Sequence, residues 1–279
     1  MQHDAILPAA PAQSPDDVLI DIDRVTQVYA GVGSAVRALD RVSMQARRGE
    51  FISIVGPSGC GKSTLMMIAA GLLPASAGTV RVAGRVVDRP QTDLGIVFQS
   101  PVLLEWRTAL ENVMLQAEAR RLPAADAERR ARSLLTAVGL AGFEHKYPHE
   151  LSGGMRQRVS ICRALVHTPP QLLMDEPFGA LDALTRDQLV LDLQELWQTE
   201  RMTVLFVTHS IAEAVFLSDR IIVMTPRPGR IAREIGVDLP RPRTLAMRDS
   251  AVFHAVSREI TDFFLEQGVL RERAAGLSR

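Results

Sequence analysis

The sequence is poor in features that mark several specialised protein classes. Its two cysteines, Cys60 and Cys162, cannot form a disulfide framework, and free thiols fit a reducing cytosol. Lysine plus arginine and aspartate plus glutamate both number 32, so the chain lacks the basic excess that nucleic-acid-binding proteins usually carry. No apolar run reaches the ~18 residues of a membrane span, and the best candidate, residues 65–73, stops at Pro74.

The start of the chain also lacks the basic and apolar segments of a signal peptide, so we expect no secretory signal. Pro8, Pro11 and Pro15 among alanine, glutamine and serine predict a disordered tail over residues 1–17. The chain has 279 residues, of which 47% are hydrophobic. That is enough for one large α/β domain or for a domain with a subdomain.

A glycine-rich loop is the first stretch with a definite chemistry, because it fits the G-x-x-x-x-G-K-[ST] phosphate-binding pattern. The loop consists of Gly56, Pro57, Ser58, Gly59, Cys60, Gly61, Lys62, Ser63 and Thr64. An apolar run at residues 51–55 predicts a buried strand before it, and residues 65–70 predict a helix after it. Glycines let backbone N–H groups approach an anion, and the helix N-terminus adds partial positive charge. We expect Lys62 to reach the β- and γ-phosphates of a nucleotide and Ser63 to bind Mg²⁺.

Polar side chains follow three other predicted strands. Gln99 comes after residues 94–98, Asp175 and Glu176 after residues 172–174, and His209 after residues 204–208. Ligands of α/β proteins bind at the carboxyl ends of parallel strands, so we expect these groups along one sheet edge. An apolar strand ending in two acids is the Walker B pattern, in which Asp175 holds Mg²⁺ and Glu176 polarises the attacking water. The competing interpretation is that the acids and the histidine merely terminate strands.

Three further positions fit a nucleotide site, each with a structural alternative. Tyr29 could stack on an adenine ring or be an ordinary packed tyrosine. Ser152, Gly153 and Gly154 begin a predicted helix that extends to about residue 167, where they make either a second anion site or a plain helix cap. Asp182 is expected to cap the next helix or to lie at an interface.

The remaining patterns predict the organisation of the chain. A strand at residues 18–22, a strand pair at 36–49 and a hairpin at 79–87 predict an antiparallel sheet beside the parallel one. Helical periodicity over residues 110–140 predicts a helical insertion of its own, at about residues 101–168. Residues 221–224 form the last predicted strand, residues 240–243 a linker and residues 253–265 an amphipathic helix. The predicted fold class is α/β, a P-loop NTPase core with an antiparallel β subdomain and a helical subdomain.

Taken together, these motifs resemble the ATP-binding cassette family, the nucleotide-binding subunits of ABC transporters, over about residues 18–224. The resemblance implies a cassette domain at 18–230, followed by a C-terminal linker and helix at 231–279. It implies ATP and Mg²⁺ as cofactors, with Lys62, Glu176 and His209 as catalytic residues. The implied metal ligands are Ser63, Gln99 and Asp175. The implied nucleotide contacts are Tyr29 of the A-loop, the Walker A loop, Gln99 of the Q-loop, Ser152, Gly153 and Gly154 of the signature, and Asp182 of the D-loop.

The family also implies partners. Two cassettes pack head to tail in it, so that ATP lies between Walker A of one chain and the signature of the other, and Ser152 would serve the partner's nucleotide. Without a membrane span, the chain would drive a separate permease from the cytoplasmic face of the inner membrane, with a solute-binding protein as an indirect partner and no nucleic acid. Met155 stands where many members have glutamine, which should not abolish activity.

Three shorter sequence motifs resemble those of the nitrate, sulfonate and taurine import branch of this family. They occupy residues 101–108, 182–186 and 224–230, and importers of pyrimidine or thiamine precursors share them. The short C-terminal tail differs from the long one of sugar importers. We expect the apolar segment 101–108, with Trp106, to receive a cytoplasmic helix of the permease, unless Trp106 packs within the helical subdomain. We also expect alkylation of Cys60 in the loop to block the site, and ATP to protect it.

Other functions fit less well. A cassette ATPase of DNA repair or translation usually carries two cassettes or a coiled coil with basic surfaces, and neither pattern is present. A P-loop GTPase needs an Asn-Lys-x-Asp motif, but the only asparagine, Asn112, is followed by valine. A non-catalytic ATP-gated adaptor is disfavoured by the intact Lys62, Glu176 and His209.

Overall fold

The computed structural model describes residues 17–31 and 34–270 of the chain. The predicted disordered tail lies outside these ranges apart from Asp17, and residues 32 and 33 lie outside them too. The described strands are β1 (Val18–Gly31), β2 (Ser34–Arg47), β3 (Phe51–Val55), β4 (Ala77–Val82), β5 (Arg85–Val86), β6 (Gly95–Val97), β7 (Gln171–Asp175), β8 (Thr203–Thr208), β9 (Arg220–Met224) and β10 (Ile231–Gly236). The described helices are α1 (Lys62–Ala69), α2 (Ala109–Ala119), α3 (Ala124–Ala137), α4 (Gly153–Leu165), α5 (Ala183–Glu200), α6 (Ile211–Leu217) and α7 (Ala251–Glu266).

A six-stranded sheet in the order β10-β9-β3-β8-β7-β6 forms the centre of the fold. Strands β9, β3, β8, β7 and β6 run parallel, and β10 is antiparallel to β9. Strands β3 and β8 are buried along their whole length, as expected for central parallel strands covered on both faces. The carboxyl ends of the parallel strands therefore meet at one edge, where the predicted polar groups lie.

Alternate residues of β3 serve two hydrophobic cores. Ile52 and Ile54 face a core shared with α1 and the antiparallel sheet. Phe51 and Val55 face a second core, which α4, α5, α6 and α7 help to build. Phe51 packs there against Trp197 and Phe206, with ring centroids 5.8 and 5.9 Å apart. Side chains of α2 and α3 join the same core, so the helical insertion packs firmly on the sheet. None of the described helices has the length and apolar character needed to cross a membrane.

The antiparallel sheet has the order β2-β1-β4-β5, and the predicted hairpin is its β4–β5 unit. The prediction of short separate strands before residue 50 is wrong, because β1 and β2 are two continuous strands of 14 residues each. Register shifts interrupt their pairing, and Arg24 and Arg41 adopt positive φ angles of 47° and 50°. Such bulges break the apolar–polar alternation in the sequence, which made one strand look like two.

Strand β10 was also missed, since residues 221–224 were predicted to be the last strand. This edge strand is only partly buried, and its Arg233 and Glu234 interrupt the apolar pattern. The predicted amphipathic helix at 253–265 is present as α7. Its N-cap is Ser250, whose hydroxyl accepts a hydrogen bond from the Phe253 N–H at 3.3 Å. Its buried side chains are Phe253, Val256, Ile260, Phe263 and Phe264.

The predicted linker at residues 240–243 is a fixed part of the core. Arg243 is only 2% exposed, and its guanidinium donates to the carbonyls of Val215, Phe216 and Ser218 at 2.9–3.0 Å. It thereby caps the C-terminal end of α6, where a cation complements the helix dipole. Burial lowers the pKa of Arg243 to about 10, so the side chain remains charged at neutral pH. A proline-rich, charged tetrapeptide resembles a linker in sequence, because these contacts come from segments far away along the chain.

We predict that Arg243→Ala lowers the free energy of unfolding by about 2–4 kcal/mol, since it leaves three buried carbonyls without donors. Arg243→Lys should be intermediate, because lysine lacks the planar fork. The control is Arg258→Ala on the exposed side of α7, which should change stability by less than about 0.5 kcal/mol. Urea unfolding of the three variants measures this. An Arg243→Ala chain as stable as wild type would show that the contacts contribute nothing.

Candidate nucleotide-binding site

The phosphate loop connects β3 to α1 with the backbone shape that its sequence predicts. Gly59 and Gly61 have positive φ angles of 74° and 105°. A Cβ atom on Gly61 would lie 2.7 Å from Cδ2 of Leu39 and 3.0 Å from the Ala38 carbonyl oxygen, so glycine is required there. Gly61 is the N-cap of α1, and within the described structure no side chain caps this helix. The first N–H groups of α1 are thus left for an anion.

Lys62 and Ser63 are held in place by neighbours of the loop. The Lys62 side chain is 5% exposed, and Nζ donates to the carbonyls of Gly56 at 2.8 Å and Pro57 at 3.1 Å. The Ser63 hydroxyl donates to Oδ1 of Asp175 at 2.9 Å. Burial raises the pKa of Asp175, and the hydrogen bond from Ser63 opposes that shift. The two predicted metal ligands from the loop and from β7 therefore meet.

The predicted groups at the strand ends also come together. Oε1 of Glu176 lies 4.0 Å from Nζ of Lys62, and Oε2 lies 3.2 Å from Nδ1 of His209. A Cβ atom placed on Gly179 would lie 3.7 Å from His209 Cε1 and 3.8 Å from Gln99 Nε2. Glu176 has a positive φ of 44°, which is rare outside glycine and concentrates at functional sites. Gln99, Glu176 and His209 thus surround one point next to the loop.

Tyr29 borders a cleft of about 360 Å³ that the loop lines together with β1, β2 and Glu176. Tyr29 is 40% exposed, and its hydroxyl lies 3.2 Å from Oγ1 of Thr64, so its side chain is available for a flat ligand. Arg227 lines the same cleft and donates from Nε to the Gly59 carbonyl at 3.1 Å. Arg227 was not predicted as a site residue, although it lies in the motif at residues 224–230 that resembles the import branch.

The signature residues and Asp182 do not reach this cleft. The Ser152 hydroxyl accepts from the Met155 N–H at 3.2 Å and caps α4, whereas Asp182 accepts from the Thr185 N–H at 3.1 Å and caps α5. A Cβ atom on Gly154 would lie 2.5 Å from Cγ2 of Thr185, so the starts of α4 and α5 pack closely. Gly153 has open space around it. These residues form a second surface, separate from the cleft of the same chain.

The expectation for Cys60 is wrong. Its side chain is only 1% exposed and points into the core beneath the loop. Burial also raises the pKa of its thiol, so little reactive thiolate forms near neutral pH. Cys162 is likewise buried, and burial raises the pKa of its thiol strongly. Only the backbone of Cys60 can contribute to anion binding, because its side chain faces away from the cleft.

The fold and this cleft define a P-loop nucleotide-binding protein, and comparison with known proteins specifies its family. Residues 39–179 match the ABC transporter family. The chain is 46% identical over 226 residues to an uncharacterized ABC transporter ATP-binding protein of Methanocaldococcus jannaschii, which covers 81% of this chain and 85% of the relative. It is 45% identical to the taurine import ATP-binding protein of Rhizobium johnstonii, over 80% of this chain and 86% of the relative.

A third relative is an aliphatic sulfonates import ATP-binding protein of Bacillus licheniformis, 43% identical over 86% of this chain and 92% of its own. Among solved structures, a dimeric ATP-binding cassette in a post-hydrolysis state with ADP and Pi superposes with a TM-score of 0.71 at 33% identity. That match covers 80% of this chain and all of the solved chain. The chain belongs to the ABC transporter family and is an ATPase, which confirms the predicted family and fold class.

A turn at residues 225–230 packs against the backbone of the phosphate loop. A Cβ atom on Gly229 would lie 2.0 Å from the Cys60 carbonyl oxygen, and the Gly229 N–H donates to the Ala38 carbonyl at 2.9 Å. Replacing a Cα hydrogen of Gly229 by a methyl group must therefore push the turn and the phosphate loop apart.

We predict that Gly229→Ala weakens ADP binding about tenfold or more, because overpacking of 1–3 kcal/mol would fall on the loop. Gly236→Ala is the matched control, since nothing lies within 4 Å of a Cβ atom there. Binding of a fluorescent ADP analogue and thermal melting measure the two effects. Equal nucleotide affinity in both variants would mean that the turn does not support the loop.

Proposed function

We propose that this chain is the ATP-hydrolysing subunit of an ABC importer, which couples ATP binding and hydrolysis to solute uptake through a separate permease. The observation that carries the proposal is the convergence of the lysine loop, the Ser63–Asp175 pair and the Glu176–His209 pair at one cleft. The assigned cassette domain spans residues 18–230, with a helical subdomain at about 101–168 and a C-terminal linker and helix at 231–279.

The residues of the cleft suit ATP with Mg²⁺. Backbone N–H groups of the loop from Gly56 to Thr64 would bind the phosphates, Lys62 would neutralise them and Tyr29 would stack on adenine. Ser63 and Asp175, with Gln99, provide oxygen ligands of the kind that Mg²⁺ prefers. Bound Mg²⁺ would offset the negative charge on the phosphate oxygens.

Glu176 is the proposed general base. Its carboxylate lies between the Lys62 ammonium and the His209 imidazole, which orient both oxygens. From this position Glu176 would accept a proton from the attacking water, and His209 would hold Glu176 and sense the γ-phosphate. The left-handed backbone of Glu176, fixed by a hydrogen bond from its N–H to the Val207 carbonyl at 2.8 Å, sets the direction of the side chain.

We predict that Glu176→Gln keeps ATP binding but slows hydrolysis by about 10²–10⁴, the usual contribution of a general base. Lys62→Ala should instead weaken ATP binding, because it removes the cation from the loop. The control Glu195→Gln removes an exposed carboxylate of α5 and should leave turnover unchanged. Phosphate release measures the rate of hydrolysis. Size-exclusion chromatography with ATP and Mg²⁺ reports ATP binding through dimer formation, and a trapped dimer is expected for Glu176→Gln. Wild-type turnover in that variant would refute the role of Glu176.

A second copy of the chain is the proposed partner at the cleft. Ser152, Gly153, Gly154 and Asp182 lie on a surface of their own, and Leu184 beside them is 83% exposed. In a head-to-tail dimer this surface would close the cleft of the other chain and add the N-terminus of α4 to its phosphates. The dimeric state of the matched cassette structure supports this arrangement.

The permease is the second proposed partner. Trp106 is 73% exposed and Val102 is 61% exposed, which contradicts packing of Trp106 inside the helical subdomain. Their segment is nonetheless fixed, because Arg163 donates to the carbonyls of Pro101 and Val102 at 2.8 Å. A rigid, exposed apolar segment with a tryptophan is typical of an interaction site. The segment 101–108 begins two residues after Gln99, so the chain connects it directly to the nucleotide cleft.

The names of the relatives support a substrate of the taurine or sulfonate type, and the resemblance at residues 101–108, 182–186 and 224–230 extends the proposal to nitrate. A solute-binding protein would deliver the substrate to the permease. Specificity for the solute resides in those partners. The assigned location is peripheral, at the cytoplasmic face of the inner membrane, without nucleic acid as a partner.

We predict that Trp106→Ala leaves the isolated subunit folded with near-normal basal ATPase activity, since its side chain is exposed. Pull-down of the permease and solute uptake in cells should both decrease. Val252→Ala, an exposed apolar side chain on α7, is the control and should affect neither. Early melting or lost basal activity in Trp106→Ala would show that the residue stabilises the subunit instead.

A further inference from the structure

A second cavity lies on the antiparallel sheet and shares no lining residue with the nucleotide cleft. It measures about 520 Å³ and contains four arginines from three segments of the chain. Arg24 comes from β1, Arg37 and Arg41 come from β2, and Arg230 comes from the turn before β10. The proposed catalytic cycle uses none of these side chains.

The cavity carries an excess of positive charge. Asp40 is 4% exposed and pairs with Arg37 at 3.5 Å, with Arg41 at 3.7 Å and with Arg230. Arg24 has its own partner, Asp23, at 3.2 Å. Three guanidinium groups against one carboxylate leave an excess of two positive charges around Asp40. Because the three arginine side chains are 55–73% exposed, their remaining N–H groups are accessible to a ligand.

Backbone irregularities direct two of the arginines to this place. Asp23 and Arg24 of β1 face Ser43 alone, and Asp40 and Arg41 of β2 face Thr26 alone, so each strand has a bulge. Arg24 and Arg41 adopt positive φ angles at these bulges, a conformation that favours glycine. Hydroxyl groups fix both bulges, because Ser43 accepts from the Arg24 N–H at 2.8 Å and Thr26 accepts from the Arg41 N–H at 3.1 Å. A bulge re-aims the side chain that it carries, here into the same cavity.

The cavity is connected to the phosphate loop through the turn at 225–230. Arg230 pairs with Asp40, whose N–H donates to the Gly229 carbonyl at 3.0 Å. Gly229 packs directly on the Cys60 carbonyl, and Arg227 donates to the Gly59 carbonyl in the nucleotide cleft. A ligand that attracts Arg230 would therefore act on the segment that supports the loop.

We propose that this arginine cavity binds a small tetrahedral oxyanion, namely a phosphate, sulfate or sulfonate group, and that its occupancy changes the affinity of the neighbouring cleft for nucleotide. Guanidinium forks match the oxygens of such groups, and an excess of two charges suits a small anion. A polyanion such as nucleic acid is a poorer match, because the charge of the whole chain is balanced. The effect on nucleotide is reciprocal, so nucleotide changes anion affinity by the same factor.

Equilibrium dialysis of the full chain tests the site, with saturating ADP and Mg²⁺ to fill the nucleotide cleft and chloride to keep ionic strength constant. The probes are labelled sulfate, inorganic phosphate and methanesulfonate. We expect saturable binding of one anion per chain, weakened about tenfold or more in Arg37→Ala/Arg41→Ala, because hydrogen bonds to charged groups are lost. Arg85→Ala/Arg89→Ala removes two exposed arginines following β4 and is the matched control, which should bind as wild type does.

Coupling is measured by titrating ADP with and without the tightest probe. We expect the apparent affinity for ADP to change at least about twofold in wild type and in the control, but not in the double variant. If the double variant does not fold, Arg41→Gln replaces it, because that side chain is 73% exposed. The tightest probe identifies the source of the anion, with methanesulfonate pointing to the solute and phosphate or sulfate to an inorganic ion. Binding that does not saturate, or that is equal in wild type and Arg37→Ala/Arg41→Ala, overturns the proposal, and so does unchanged ADP affinity.

Discussion

The whole site depends on one constraint, the need for backbone N–H groups to face an anion at the start of α1. Gly61 in its left-handed conformation begins that helix without a side-chain cap, and Leu39 and Ala38 leave no room for a side chain there. The carbonyls of Gly56 and Pro57 hold the Lys62 ammonium in the centre of the loop. Two neighbouring segments pack closely against this loop, Leu39 of β2 beside Gly61 and Gly229 of the turn at 225–230 beside the Cys60 carbonyl.

The parallel sheet supplies the chemistry that the loop lacks. Strands β8, β7 and β6 follow β3 in order across the sheet, and the residues at their carboxyl ends bring an imidazole, a carboxylate and an amide together. The starts of α4 and α5 lie on another surface, where Ser152 and Asp182 cap their helices. In the proposed dimer the cleft of one chain and this surface of the other would form one nucleotide site, which is why the second copy belongs to the proposed mechanism.

Motif positions were predictable from the sequence because their chemistry is local. The glycine loop, the acids after β7 and the caps of α4 and α5 each depend on a few adjacent residues. The bulges at Arg24 and Arg41 were not predictable, since they look like strand ends. Contacts between distant segments were missed because no local pattern encodes them, as Arg243 at the end of α6 and Arg227 on the loop illustrate. The direction of the Cys60 side chain depends on the core beneath it, which the motif does not encode.

A mixed dimer measures the central claim that the two halves come from different chains. One chain carries Ser152→Arg and the other Lys62→Ala, and the reciprocal dimer carries both changes in one chain beside a wild-type partner. The account predicts one intact ATP site, read by photo-cross-linked ATP, in the first dimer, and one lesion at each site in the reciprocal dimer. An intact site in the reciprocal dimer only would contradict it, because the signature would then serve the nucleotide of its own chain.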